Sequence, residues 1–224
     1  MLSRVRTLVV KFKNNIFHQE VPLFRGAVIS AIEKDVNLLY HNHLQDGYNY
    51  HYPKIQYKRI NGKAAIMGID EGIEALSQFL KLQPLSINVG KRELLLEIES
   101  VLPNQIFIAQ WNARFTYSLR KWLPLNSTNY SAFSKIEGLG DRVDFLESIL
   151  TANILSLAKG LNIHFDEKVF VSITNIESTK LLNYKGVKMM GFDILFKTNV
   201  SFPNYIGVGK GVSLGFGLLH RMKE

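Results

Sequence analysis

The stretch Lys54-Ile55-Gln56-Tyr57-Lys58-Arg59-Ile60-Asn61-Gly62-Lys63-Ala64-Ala65-Ile66-Met67-Gly68-Ile69 sets the reading of the first half of the chain. Two strand-like runs, Lys54 to Ile60 and Ala64 to Ile69, flank Asn61-Gly62, a dipeptide that favours a tight hairpin because both residues accept positive φ. Downstream, Asp70 is placed to cap a helix through Ile73, Leu76, Phe79 and Leu80, which Pro84 stops, and Arg92 to Val101 reads as a strand. Upstream, Pro22 precedes Phe24, Ala27, Val28, Ala31 and Ile32, whose spacing predicts a helix through Arg25 to Glu33, and Arg4 to Phe12 alternates as a strand should.

The resulting order is strand, helix, two strands, helix, strand, the split βαβ or ferredoxin-like arrangement. The second half follows it with looser spacing. Gln105 to Gln110 reads as a strand, and an irregular stretch through Trp111 and Trp122 leads to Asp141. Val143, Leu146, Ile149, Leu150, Ile154 and Leu157 then form a helical stripe ending at Gly160, and Val169 to Ile176, Lys188 to Val200 and Leu214 to Leu219 read as strands. The expected fold is therefore α+β, with two tandem ferredoxin-like (RRM-like) domains over residues 1–102 and 103–224 and a boundary near Leu102-Pro103-Asn104. No internal sequence repeat accompanies this order, so a single ferredoxin-like unit with a long extension competes.

Composition narrows the function. The chain has 224 residues, 46% hydrophobic and 21% charged, as an ordinary globular protein does, and no run long enough to span a membrane. The absence of cysteine excludes disulfides and thiolate zinc sites, and Lys11 and Lys13 interrupt the N-terminal apolar run, so no signal peptide is expected and the location read is cytoplasmic. Net charge is +8, and from Lys168 to Lys223 eight bases (Lys168, Lys180, Lys185, Lys188, Lys197, Lys210, Arg221, Lys223) face two acids, Glu177 and Asp193. That imbalance favours a polyanionic partner over a solvated basic surface.

Five of the 16 glycines fall in Gly207-Val208-Gly209-Lys210-Gly211-Val212-Ser213-Leu214-Gly215-Phe216-Gly217. Such a loop is expected to turn backbone amides toward an anion. It is not a Walker A loop, because Lys210 is followed by Gly211 rather than Ser or Thr. Nor is it a dinucleotide fingerprint, because the third glycine and the following helix are missing. The pattern from Pro203 to Leu218, with Asn204-Tyr205-Ile206 leading into it, instead resembles the C-terminal signature of the CRISPR repeat-processing endoribonucleases of the RAMP superfamily. The resemblance also implies two similar domains.

Between the first helix and the hairpin, Tyr40 to Lys54 holds three of the six histidines (His41, His43, His51) and four of the nine tyrosines. A histidine metal site lacks accompanying carboxylates beyond Asp46, and a loop of surface histidines and packed tyrosines is the plain structural reading. The third reading is metal-independent RNA cleavage. Histidine suits proton transfer near neutral pH, and lysine supplies fixed charge for a crowded phosphorane.

The resemblance favours the third reading. Counted from Leu23-Phe24-Arg25-Gly26, which is similar to the family's first-helix start, His43 falls closest to the catalytic position, His41 next, and Lys54 is the matching lysine. Ile29 stands where the family often has a helix tyrosine, a role left to Tyr40 or Tyr48. For RNA grip the resemblance implies Arg25, Lys180, Lys185 and Lys188 together with Gly207, Gly209, Lys210, Gly211, Ser213, Gly215 and Gly217. It implies no metal and no cofactor, and as partners CRISPR repeat RNA or precursor guide RNA and other CRISPR effector subunits, for a monomer or homodimer. A non-catalytic RNA-binding subunit of a CRISPR ribonucleoprotein is the alternative.

Overall fold

The structure, a computed structural model, describes residues 4–32, 43–44, 47–48, 52–82 and 84–222, the side chains at 43–44 and 47–48 excepted. Within it the chain divides into two compact units. One comprises Arg4–Ile106 with Ser213–Gly215, and the other Phe107–Val212 with the segment from Phe216 onward.

The first unit runs β1 (Arg4–Asn15), α1 (Val21–Ser30), β2 (His43–Leu44), β3 (Gly47–Tyr48), β4 (Ile55–Ile60), β5 (Lys63–Ile69), α2 (Glu71–Lys81), β6 (Ser86–Val89), β7 (Arg92–Leu95) and β8 (Ile98–Phe107). Asn61 and Gly62 take φ of 51° and 87°, so the expected tight hairpin forms, and β4 and β5 pair antiparallel with Tyr57 opposite Ile66. The sheet order β4-β5-β1-β8 places the first strand centrally beside the hairpin, as the ferredoxin-like arrangement requires.

Side chains alternate across each strand, which separates two faces. Val10 and Phe12 of β1, Tyr57 of β4 and Ile66 of β5 join Phe24 and Val28 of α1 and Leu76 and Phe79 of α2 in one core. Phe24 meets Phe12 edge-on at 6.2 Å and Tyr57 at 5.9 Å. The alternate residues of β4, Gln56, Lys58 and Ile60, are buried as well.

Several elements differ from the sequence reading. Helix α1 begins at Val21, with Pro22 inside its first turn, where the missing amide hydrogen costs nothing. Asp70 gives α2 no side-chain cap. At φ 47° its carboxylate accepts from the Arg6 amide at 3.0 Å, tying the helix start to β1. The strand expected over Arg92 to Val101 is a hairpin arm, β7, followed by β8, and Leu102-Pro103-Asn104 lie inside β8.

The second unit runs β9 (Gln110–Trp122), α3 (Ser127–Phe133), α4 (Leu139–Gly160), β10 (Val171–Tyr184), β11 (Val187–Val200) and β12 (Leu218–Arg221). Its sheet order, β10-β11-β9-β12, repeats that of the first unit element for element. The stretch read as irregular through Trp111 and Trp122 is in fact the 13-residue β9. Tyr117 and Leu119 alternate with Thr116, Ser118 and Arg120, the period-two pattern of a strand, and lie opposite Phe196 and Ile194 of β11. The expected strand from Leu214 begins only at Leu218, because Val212–Leu214 form a 3-10 turn. Where the first unit has α2, between its third and fourth sheet strands, the second has the glycine-rich segment instead.

The buried Lys58 yields the first prediction. Desolvation lowers its amine from 10.5 to about 7. Between pH 7 and about 10.5 the unfolded chain therefore binds more protons at this site than the folded one, so stability rises with pH across that window. Lys58→Met should raise the thermal midpoint at pH 7, and the gain should shrink as pH approaches 10, measured by melts of both proteins across that range.

Candidate nucleic-acid interface

The glycine-rich segment is anchored by apolar side chains and by its own backbone. Ile206, Val208, Val212 and Phe216 are buried. The Val208 amide donates to the Gly217 carbonyl at 2.8 Å, Gly217 to Lys121 at 3.2 Å, and Phe216 to Gly211 at 3.3 Å. These three amides are thus bonded within the protein, which corrects the expectation that the loop's donors as a set face an anion.

Two glycines are fixed by close approach. At Gly209, φ 89°, a Cβ would fall 2.6 Å from Asn153 Oδ1 and 3.0 Å from Trp122 Nε1, the two atoms of a 2.9 Å hydrogen bond between α4 and β9. At Gly211, φ 75°, a Cβ would fall 2.8 Å from the Tyr184 ring. That ring, edge-on to Phe216 at 5.6 Å, carries Lys210 Nζ at 5.3 Å and Lys185 Nζ at 5.8 Å from its centre.

Lys185 and Gly186 form the β10–β11 turn with φ of 51° and 84°, the same solution as Asn61-Gly62. The hairpin tip and the glycine-rich segment therefore meet on one tyrosine, with two exposed ammonium groups held within cation–π range of it. Two of the sequence-expected lysines are brought together here. The others are not. Lys188 stands opposite Asn183, one residue out of phase with Tyr184 and so on the other face of the hairpin, and Lys180 lies 3.8 Å from Asp193. The role of Tyr184 as the junction was not read from sequence; the Tyr184-Lys185-Gly186 turn was the available signal.

In the first unit, β2 and β3 pair antiparallel with the Cα of His43 opposite that of Tyr48, which brings the backbones of two expected catalytic residues together. His41 and His51 lie outside the described residues. Lys54 is already committed: its Nζ is 3.5 Å from Asp70 Oδ2 and 3.5 Å from Glu71 Oε1, with 18% of the side chain exposed. Arg25 lies half-buried on α1, and Ile29 packs into the core. Ser213 and Gly215 belong to this unit. A Cβ on Gly215 would sit 3.4 Å from the Tyr57 carbonyl and from Val21, and 3.8 Å from Lys58 Cα. Among the described residues no cluster of His, Asp and Glu suited to a metal is present.

The two units define a protein of duplicated ferredoxin-like topology, with a glycine-rich segment in place of the last helix of the second. Residues 3–106 match the Cas6b N-terminal domain family and residues 109–222 the Cas6b C-terminal domain family, and the chain belongs to the Cas6b family. A crystal structure of Cas6b, 26% identical, superposes with a TM-score of 0.88 over 98% of this chain and all of that one. A CRISPR RNA processing endoribonuclease Cas6b, 24% identical, shares the fold with a TM-score of 0.74 over 98% of this chain and all of that chain. An uncharacterized protein of Methanocaldococcus jannaschii is 38% identical over 103 residues, 46% of this chain and 69% of its own length. Among the described residues no helix is long and apolar enough to cross a membrane.

Gly209→Ala tests the close approach. The forced left-handed φ and displacement of the Trp122–Asn153 bond should together cost about 1–3 kcal/mol of stability, read as a lower urea midpoint with an unchanged slope.

Proposed function

We propose that this chain is a metal-independent endoribonuclease that cuts CRISPR precursor RNA within its repeats. The observation that carries this reading is the match of both halves of the chain to the Cas6b family. One of the structures sharing its fold is a CRISPR RNA processing endoribonuclease.

The reaction needs no water in its first step. A base takes the proton of a ribose 2′-OH, the 2′-oxygen attacks the adjacent phosphorus, and the P–O5′ bond breaks as an acid protonates the leaving oxygen. The products are a 2′,3′-cyclic phosphate and a 5′-OH. His43 is assigned the principal proton transfer, with His41 the alternative and Tyr48 a hydroxyl partner. The backbone pairing of His43 with Tyr48 supports this grouping. Lys54 is the assigned cation, although its two carboxylate neighbours offset its charge and give it a share in holding α2 to the start of β4. Cleavage should persist in EDTA with cognate repeat RNA and vanish when the scissile 2′-OH is replaced by hydrogen, with binding retained. His43→Ala should slow cleavage at least ~100-fold. Dependence on added Mg²⁺ would overturn the mechanism, and binding without cleavage under any condition would assign a non-catalytic RNA-binding role.

RNA grip is assigned first to Lys185 and Lys210 on Tyr184, with Gly207, Gly209, Gly211 and Gly217 shaping the segment, Ser213 and Gly215 beside β4, and Arg25, Lys180 and Lys188 as further contacts. Backbone contacts of this kind release counterions. Lys185→Ala and Lys210→Ala should each lower the slope of log K against log salt by roughly 0.7–0.9, whereas a purely structural role would leave that slope unchanged.

A further inference from the structure

Lys58 is the least expected cation in the molecule. Its side chain is completely buried, and its Nζ has no hydrogen-bond partner. A buried ammonium without a counter-ion is strongly disfavoured, so most buried lysines are paired. Here no salt bridge to the amine forms among the described residues. On the same sheet Glu97 pairs with Lys13 at 3.0 Å and Glu99 with Lys63 at 2.5 Å, while Asp70 and Glu71 hold Lys54.

The strand register sets other lysines beside it. Ala65 lies directly opposite Lys58 on one side and opposite Lys11 on the other, so β4, β5 and β1 place two lysines in one row with a methyl group between them. Directly opposed residues share a face, which puts Lys11 and Lys58 on the side away from the α1–α2 core. Along β4, the neighbours on that face are Gln56, whose amide is bonded to Tyr52 and Pro53, and Ile60, opposite Lys63. Gly215, from the glycine-rich segment, lies against the backbone of β4 at Tyr57 and Lys58 and brings no charge. On its own face of β4, β5 and β1, the charged residues placed beside Lys58 by the strand register are Lys11 and Lys63.

We propose that Lys58 is a reserve cation for the RNA backbone: without a hydrogen-bond partner in the free protein, its amine takes up a proton and pairs with a phosphate when RNA seats beside Ser213–Gly215. The inference rests on the RNA-processing reading above and adds to it a proton-coupled phosphate site. The chemistry is one protonation, with the proton drawn from buffer, and one ion pair formed between the ammonium and a phosphodiester oxygen. The four-carbon stem allows the amine to move once a counter-ion is at hand. The lowered pKa of the buried amine, about 7, supports a resting state that is partly neutral at physiological pH. A phosphate beside it would raise that value, so association and proton uptake are linked.

Isothermal titration calorimetry distinguishes this role from simple packing. Uncleavable 2′-fluoro repeat RNA is titrated into the full chain at pH 8 in two buffers of different ionisation enthalpy. The free protein should take up roughly 0.9 proton per RNA bound at pH 8 and about half a proton at pH 7. Lys58→Met, whose apolar side chain suits a buried position, should still bind, more weakly, and lose that uptake at pH 8; Lys58→Gln serves as the second variant. Binding with no uptake, or uptake unchanged in Lys58→Met, would overturn the assignment while leaving the RNA-processing reading intact. Failure of the unaltered protein to bind RNA would overturn both.

Discussion

The edge-on contact of Tyr57 with Phe24, 5.9 Å between ring centres, fixes which face of β4 meets α1. It commits Ile55 and Tyr57 of β4 to the core beneath α1. Because the side-chain period of a strand is two, Gln56, Lys58 and Ile60 are then forced to the opposite face. A slip of one residue would bury Lys58 among Phe12, Phe24 and Phe79 and expel Tyr57. The Asn61-Gly62 turn holds the register from the other end, pairing Ile60 with Lys63. The unusual amine of Lys58 is thus a consequence of aromatic packing on the other side of the sheet, not of any local preference for lysine.

The two units solve the same topological problem with different final connections. In the first, α2 is drawn close to the sheet, since a Cβ on Gly68 would fall 2.7 Å from the Gly72 carbonyl. In the second, the corresponding connection is held by backbone bonds from Val208, Gly217 and Leu219 and by four buried apolar side chains, with left-handed glycines between them. A helix buries a stripe and exposes a stripe. A segment of this kind can bury alternate residues while turning sharply enough to set Lys210 over the Tyr184 ring. The glycines act as spacers that permit contact, and the charge comes from the lysines.

The element order of the first unit was legible because each of its signals is local. Asn-Gly dictates a turn, proline limits a helix, and alternation marks a strand. The strand β9 carries the same local signal, Trp111, Ala113, Phe115, Tyr117 and Leu119 alternating with Asn112, Arg114, Thr116, Ser118 and Arg120, but its pairing with β11 joins residues 70 or more apart and is not local. The same distinction separates the site residues. Lys185 and Lys210 could be nominated from a charge imbalance and a glycine pattern, but only the fold shows that Tyr184 joins them. Asp70 looked like a helix cap from its position alone, whereas its carboxylate is taken by the Arg6 amide, 64 residues away. For Lys58 no sequence signal existed, since a lysine in an amphipathic strand is ordinarily solvated.

Charge compensation orders these lysines by the work each is free to do. Lys54 is held between two carboxylates, so moving it toward a phosphate would leave Asp70 and Glu71 facing one another without a cation. Lys185 and Lys210 are exposed and rest against a ring, an interaction worth about 0.5–1 kcal/mol at such sites, which a phosphate in salt solution can readily replace. Lys58 has no bond to give up in exchange, because its amine has no hydrogen-bond partner among the described residues and burial already disfavours its charge. An incoming phosphate therefore gains the full interaction with Lys58 only as the amine takes up a proton from the buffer, whereas at Lys185 and Lys210 it displaces only counterions. Salt and pH accordingly act on different lysines of the same chain.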